Sequence, residues 1–204
     1  MTNYQTPTAE TYNGLQAAFD HFNMELFELK LPPVMFTLTR RTGANGYFHA
    51  EQFKHRDGDA THEIALNPNT MDRDIRAVLS TLVHEMTHLE QQEYGTPSKG
   101  GHHNMEWANM MQCVGLTPTD GTGKMTGRKV THIIDEGGPF DTALADLMPF
   151  DIPYFTQPRG KAEGKKKDLS KVKHQCGCGN KAWAKHGSSL ICGDCNEEMV
   201  GEEV

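Results

Sequence analysis

The sequence predicts an α+β fold, and three observations predict it. Apolar residues recur at helical spacing over 8–31 and again over 71–94, three short β-favouring runs lie between those stretches, and four of the five cysteines crowd into the last 29 residues. The first two describe one domain, residues 1–156, in which helices pack on a small antiparallel sheet. The third describes a small appendage at residues 174–200, reached through a basic linker at 157–173.

In chain order, Tyr12, Leu15, Phe19, Phe22, Leu26 and Leu29 fall three or four residues apart and the run stops at Pro32 and Pro33, so a core-packed helix is expected over 8–31. "VMFTLTR" (34–40), "GYFHAEQF" (46–53) and "HEIALNP" (62–68) read as strands, separated by Gly, Asn and Asp. A second helix is expected over 71–94, closed by Gly95 and Pro97, and a third over 103–114, closed by Gly115 and Pro118. Beyond residue 120 the periodicity weakens, and only "FDTALADLMPF" reads as a short helix or ordered turn.

Bulk properties narrow the class. The 204 residues suffice for one well-buried domain and a small second unit. A formal net charge of −7 argues against a protein that coats nucleic acid over its whole surface. The first residues lack the basic start and apolar run of a signal peptide, and no stretch reaches the roughly 18 apolar residues of a membrane helix. A cytoplasmic protein without membrane contact is therefore expected, and in a reducing compartment clustered cysteines indicate metal rather than disulfides.

The chemistry concentrates in "HEMTH", residues His84 to His88, an H-E-x-x-H motif. On a helix its two histidines project from one face and can grip one ion. At about 100° per residue, Ile75, Val78, Leu79, Leu82, Val83, Met86 and Leu89 share one arc, and His84 and His88 lie opposite. A helix serving only as core has no use for that second face; the bland alternative is two surface histidines beside an accidental glutamate.

Two histidines leave a catalytic zinc short of its usual three protein ligands. The continuation H-E-x-x-H-x-x-G-x-x-H is excluded, because Gln91 and Tyr94 stand where it needs Gly and His. The third ligand must therefore follow the reversal at 95–101. Trp107, Met110, Met111 and Val114 mark the inward stripe of the third helix, and projecting it backwards puts His103 on the stripe and His102 off it. His103 is the expected ligand, His102 the alternative if the helix starts a residue away, and Glu106 a weaker carboxylate candidate. Glu85 lies beside the ion's position without pointing as the ligands do, which suits a general base that takes a proton from water and passes it to a departing amine.

Together these residues resemble the SprT-like zinc metallopeptidase family, the group that includes the DNA-protein-crosslink protease Spartan. The matching features are "FNMELFELKLP", "EIALNP", "LVHEMTHLEQ" and a later His followed four residues on by an aromatic, His103 and Trp107, which together cover most of residues 10–115. The resemblance implies a compact gluzincin-like zincin domain, peptidase activity on protein substrates and His103 as third ligand. It does not single out a substrate, since related members have been viewed as proteases, as DNA-repair factors and as transcription-related proteins.

Cys176 and Cys178, then Cys192 and Cys195, have the layout of a zinc ribbon, two knuckles joined by a hairpin. The first knuckle is C-x-C rather than C-x-x-C, so His174 and His186 stand as alternatives to one thiolate. One catalytic and one structural Zn2+ are expected, because a segment this small has too little apolar area to fold unaided. Residues 159–173 carry seven Lys/Arg against two acidic residues. Lys165, Lys166, Lys167, Lys171 and Lys173 are candidate phosphate contacts and Trp183 a candidate stacking face for DNA; the bland reading is a solvated tether and a Trp183 that fills the ribbon's core. The expected function is a zinc-dependent endopeptidase acting on DNA-associated or DNA-crosslinked proteins, and the alternative is a non-proteolytic, nucleic-acid-associated regulator with structural zinc sites.

Overall fold

The apolar stripe of the first helix, α1 (Pro7–Phe27), buries Leu15, Phe19 and Phe22, and two ring contacts orient it. Phe19 meets Phe36 edge-on at 5.8 Å, and Phe22 stacks on Phe140 at 5.6 Å, so α1 is held at once by a strand and by the last described helix of its unit. These contacts come from a computed structural model that describes residues 6–147 and 171–201. The chain divides into two compact units, Met1–Pro158 and Arg159–Val204.

α1 ends at Phe27, four residues short of the expected end at residue 31 and ahead of Pro32 and Pro33. Glu28 and Leu29 both adopt left-handed backbone angles, and Leu29 is exposed rather than part of the stripe. The cause is Asn23, which is buried: its Nδ2 donates to the Leu31 carbonyl and its Oδ1 accepts from the Leu31 N–H, both at 3.1 Å. A buried amide that pairs with the backbone in this way turns the chain off the helix toward the sheet.

The strands β1 (Val34–Leu38), β2 (Gly46–Lys54) and β3 (Ala60–Leu66) form one sheet in the order β1-β3-β2. The sheet is mixed. The β2–β3 hairpin is antiparallel, with Phe48 opposite Ile64, whereas β1 runs parallel to β3, with Phe36 opposite Ile64. The short connection at 39–45 passes over one end of the sheet, so β2 runs back against β1, and β3, antiparallel to β2, runs parallel to β1.

A 3-10 turn at Pro68–Thr70 leads to α2 (Ile75–Tyr94), which starts four residues later than the periodicity suggested, with Asp74 at its N-cap. Then follow α3 (Met105–Cys113), the hairpin of β4 (Leu116–Thr119) and β5 (Thr131–Ile134), and α4 (Pro139–Leu147), which takes in the expected short helix as far as Leu147, its last three residues lying outside the described residues. Arg76 at the start of α2 makes a two-pronged pair with Asp141 on α4 at 2.8 and 2.7 Å, and this pair holds the Asp141 carboxyl below its ordinary range. Among the described residues, the second unit contains β6 (Val172–Gln175), β7 (Lys181–Ala184) and β8 (Val200–Gly201) in the order β7-β6-β8, with a small buried cluster of Cys176, Cys192 and Met199 and Ala182, Leu190 and Cys195 against it. No helix among the described residues is long and apolar enough to cross a membrane.

Gly115, between α3 and β4, is required by its backbone. Its φ is +79°, and a Cβ there would come within 2.9 Å of Pro139 N and Cδ and 3.0 Å of Phe140 N. Gly43 has a similar φ of +80° with open space around it. Gly115→Ala should therefore lower unfolding stability by about 2 kcal/mol or more and Gly43→Ala by only about 1 kcal/mol, as the left-handed backbone alone dictates. Equal urea midpoints for the two variants would show that the contact with α4 is not tight.

Candidate metal centre

The middle of α2 is buried on almost every side. Val78, Leu79, Leu82, Val83, Met86 and Leu89 enter the main core, as the periodicity predicts, while Ser80, Thr81, Glu85, Thr87 and Gln91 are buried polar residues on the same helix. Each of these needs a partner. Ser80 and Thr81 donate back to the Ala77 carbonyl and Thr87 to the Val83 carbonyl, and the remaining groups reach across to other elements.

His84 and His88 face outward from α2, and the chain returns over them as expected. Gln91 holds that return: its Nε2 donates to Asn104 Oδ1 at 2.8 Å and to Glu106 Oε2 at 2.6 Å. Glu106 Oε2 also accepts the Thr96 N–H at 2.7 Å, and Asn104 caps α3 by accepting from the Trp107 N–H at 2.9 Å. These bonds hold the Glu106 carboxyl below its ordinary range, and they commit it to the loop rather than to the histidines.

His103 precedes α3 instead of lying on it, so the helix projection reached the right face through an element that does not extend that far. Its position is set by a β-bridge to Gly127: the His103 N–H donates to the Gly127 carbonyl at 3.0 Å and the Gly127 N–H to the His103 carbonyl at 2.9 Å. The same Gly127 carbonyl accepts from His103 Nδ1 at 2.8 Å. That bond places the ring proton on Nδ1 and leaves Nε2 bare. His102, one residue earlier, is exposed and outside the cluster.

One ligand atom from each of His84, His88 and His103 lies within 4.8 Å of the others, and His88 Nε2 stands 3.2 Å from His103 Nε2. Two imidazole nitrogens bound to one tetrahedral zinc stand about 3.3 Å apart, from a Zn–N length near 2.0–2.1 Å. The donor set therefore fits. Trp107, fully buried, touches all three rings at centroid distances of 4.9, 5.0 and 4.1 Å, stacked nearly parallel to His88 and meeting His84 edge-on.

Burial keeps the triad neutral. Loss of solvent, then mutual repulsion, pulls His84 well below its ordinary range and His88 to about 3; desolvation also lowers His103. Neutral imidazole is the form a metal takes. Glu85 moves the other way: desolvation raises its carboxyl to about 8, against a backbone N–H donated by Phe48 of β2 and the nearby charge of Arg41. A Cβ on Gly46 would sit 2.9 Å from the Ala65 carbonyl and 3.2 Å from Glu85 Oε1, so glycine lets β2 approach this carboxyl.

His132 is the site residue that sequence reasoning missed. On β5 it alternates inward with Ile134, and its Nδ1 lies 3.1 Å from His84 Nδ1, but it comes from the stretch with no clear periodicity.

In the second unit the four cysteines group with their sulfurs within 4.8 Å of one another and can hold a metal. His174 is buried with Nδ1 against the Val172 carbonyl and His186 is exposed, and neither belongs to that group. Donation from the Asn180 amide and from the backbone of Cys195 and Asp194 lowers the Cys192 thiol to about 6. Trp183 is 62% exposed, opposite Lys173 on β6, so it does not fill the ribbon's core. Lys171 is exposed, whereas Lys165, Lys166 and Lys167 lie outside the described residues.

A helix bearing H-E-x-x-H, met by a third imidazole from a downstream loop on an α+β scaffold, defines a protein with a candidate mononuclear metal centre. The SprT-like family model matches residues 15–128, and the chain belongs to the SprT-like family. An uncharacterized protein from the mucB 3′ region of Salmonella typhimurium is 44% identical over 55 residues, 27% of this chain and 74% of that protein. No solved structure matches.

The pKa shifts predict a stability profile for the metal-free protein. Glu85 is protonated in both states below pH 4.5; above it the unfolded chain ionises first, so the fold loses stability until the pH passes about 8. The histidines act with opposite sign: their lowered values weaken the fold as pH falls below 6.5. Glu85→Gln should stabilise chelator-treated protein at pH 8 by on the order of a few kcal/mol and change nothing at pH 4. Urea unfolding followed by helical circular dichroism measures both; an equal effect at the two pH values would contradict the buried, protonated carboxyl.

Proposed function

We propose that the chain is a zinc-dependent endopeptidase, with a peptidase domain at 1–156 and a metal-stabilised ribbon at 174–200. The observation that carries this reading is the convergence of three neutral imidazoles beside a desolvated carboxyl that no ligand role explains. His84, His88 and His103 would hold zinc, which would supply a Lewis acid able to acidify water to a pKa of about 7.

The protein's own part falls to Glu85. In its ionised form, which a metal cation held beside it would favour over the metal-free value of about 8, it can take a proton from the attacking water and return it to the amine that leaves the broken peptide bond. Water attacks directly, so no acyl-enzyme forms. The Phe48 N–H aims the carboxyl while Gly46 keeps the neighbouring backbone close. Burial of Trp107 against the rings limits their rotation, so the three nitrogens stay converged.

Glu85 also separates this reading from a non-proteolytic regulator with structural zinc, which has no use for a general base. Glu85→Gln keeps the shape and the Phe48 contact, so zinc should be retained while turnover of a protein substrate falls by on the order of 10² or more. His103→Ala should lose the triad's zinc and His102→Ala should keep it. Undiminished proteolysis by Glu85→Gln sinks the mechanism, and the reverse histidine result reassigns the ligand.

The finer reading is that substrates are proteins held on or crosslinked to DNA. What supports it is the exposed Trp183 beside Lys173, following a basic linker. A cytoplasmic location accords with five free cysteines. DNA binding, measured by anisotropy on single-stranded or junction DNA, should weaken steeply with salt and fall further in Trp183→Ala, by roughly 1–3 kcal/mol for a lost stacking face. No affinity at about 50 mM salt would make the ribbon a docking site for protein instead.

A further inference from the structure

His132 contributes neither a ligand nor a proton to the reaction above, yet it is held on both sides. Its Nδ1 is 3.1 Å from His84 Nδ1, its Nε2 is 2.9 Å from Ser80 Oγ, and Ser80 Oγ is 3.1 Å from the Ala77 carbonyl oxygen. Only the last atom has a role that cannot change, because a carbonyl can only accept. Ser80 must therefore spend its one hydroxyl proton on Ala77, and toward His132 it can only accept.

The rest follows by elimination. His132 must carry its proton on Nε2, and a neutral imidazole carries one proton, so its Nδ1 is a lone pair. Two lone pairs at 3.1 Å would repel; the contact is a hydrogen bond only if His84 Nδ1 carries a proton and donates it. His84 Nε2 is then bare, and it is the nitrogen left for the ion. His103 receives the same treatment by other means, since its Nδ1 donates to the Gly127 carbonyl.

The geometry points to His132 and Ser80 as positioning residues for the metal: a one-way chain from His84 through His132 and Ser80 to the Ala77 carbonyl that fixes the His84 tautomer and ring angle before the ion arrives. This inference rests on the metal site proposed above. Outer partners of this kind typically change metal affinity by about 10–100-fold. The acceptor here is a neutral imidazole on a separate hairpin, so β5 must be docked on α2 for the first ligand to be set.

The test is cobalt(II) titration of the full-length protein against a chelator. The ribbon's thiolate charge-transfer band serves as internal control, and the weaker visible band reports the triad. His132→Phe, which keeps the ring and removes the acceptor, should weaken the triad by about 10–100-fold and leave the ribbon unchanged. His132→Asn, whose Oδ1 stands where Nδ1 stood, should recover most of that loss. Ser80→Ala, a substitution α2 tolerates, should weaken the triad by a smaller factor and covers the case in which His132→Phe fails to fold. In zinc-loaded wild type, 15N-histidine NMR should place the proton of His84 on Nδ1 and that of His132 on Nε2. Equal triad affinity in wild type and His132→Phe, no rescue by His132→Asn, or a proton on His132 Nδ1 overturns the chain of donors. Wild type that takes no cobalt at the triad overturns both this inference and the metal site. Failure of the peptidase reading has its own signature, undiminished turnover by Glu85→Gln, which the metal titration does not read.

Discussion

Burial of α2 on nearly all sides is the constraint on which the rest of the first unit depends. One side is apolar and is met by α1, the sheet and α3, which a single hydrophobic core can supply. The other side carries His84, Glu85, His88 and Gln91, and a polar group taken out of water costs about 1–3 kcal/mol unless it is paired. The partners come from four separate places: Phe48 on β2, Asn104 and Glu106 at the start of α3, His132 on β5, and Gly127 through His103. The hairpin, the loop at 95–104 and the edge strand are thus parts of one solution to the problem of burying a polar helix face.

That solution sets stability against chemistry. A carboxyl raised to about 8, a His88 imidazole lowered to about 3 and two further imidazoles lowered by burial are groups whose charged forms the surroundings disfavour, and a chain selected for stability alone would place apolar residues there. The same desolvation leaves three imidazole lone pairs that can take a metal, beside a carboxyl whose ionisation is moved up to about 8. Arg76 and Asp141 act remote from this face, tying α4 to the start of α2 so that its register does not drift.

The second unit meets the opposite difficulty. Among the described residues its buried apolar side chains are few, Cys176, Cys192, Met199 and Val172, and strands of four, four and two residues supply little more. Four sulfurs within reach of one another can hold a metal, whose coordination would stand in for the missing core. Since Trp183 is not needed inside, its ring is free to face a partner.

The local features were legible in the sequence. His84, Glu85 and His88 could be placed on one helix, and that helix given two faces, because a 3.6-residue period is written in neighbours three and four apart. The cysteine cluster was legible for a similar reason, two short-range pairs at ribbon spacing. What the tertiary structure alone decided are contacts between segments that carry no period. His103 was chosen by extending α3 backwards, but a bridge to Gly127, 24 residues on, is what holds it. The direction of β1 depends on which strand takes the centre of the sheet, and the early end of α1 depends on Asn23 finding Leu31. His132 sits 48 residues from His84 in a stretch where alternation is only four residues long, and nothing local marks it. Spacing along a helix is fixed by backbone geometry within one turn, whereas these pairings exist only after the chain has closed its loops and brought distant polar groups together.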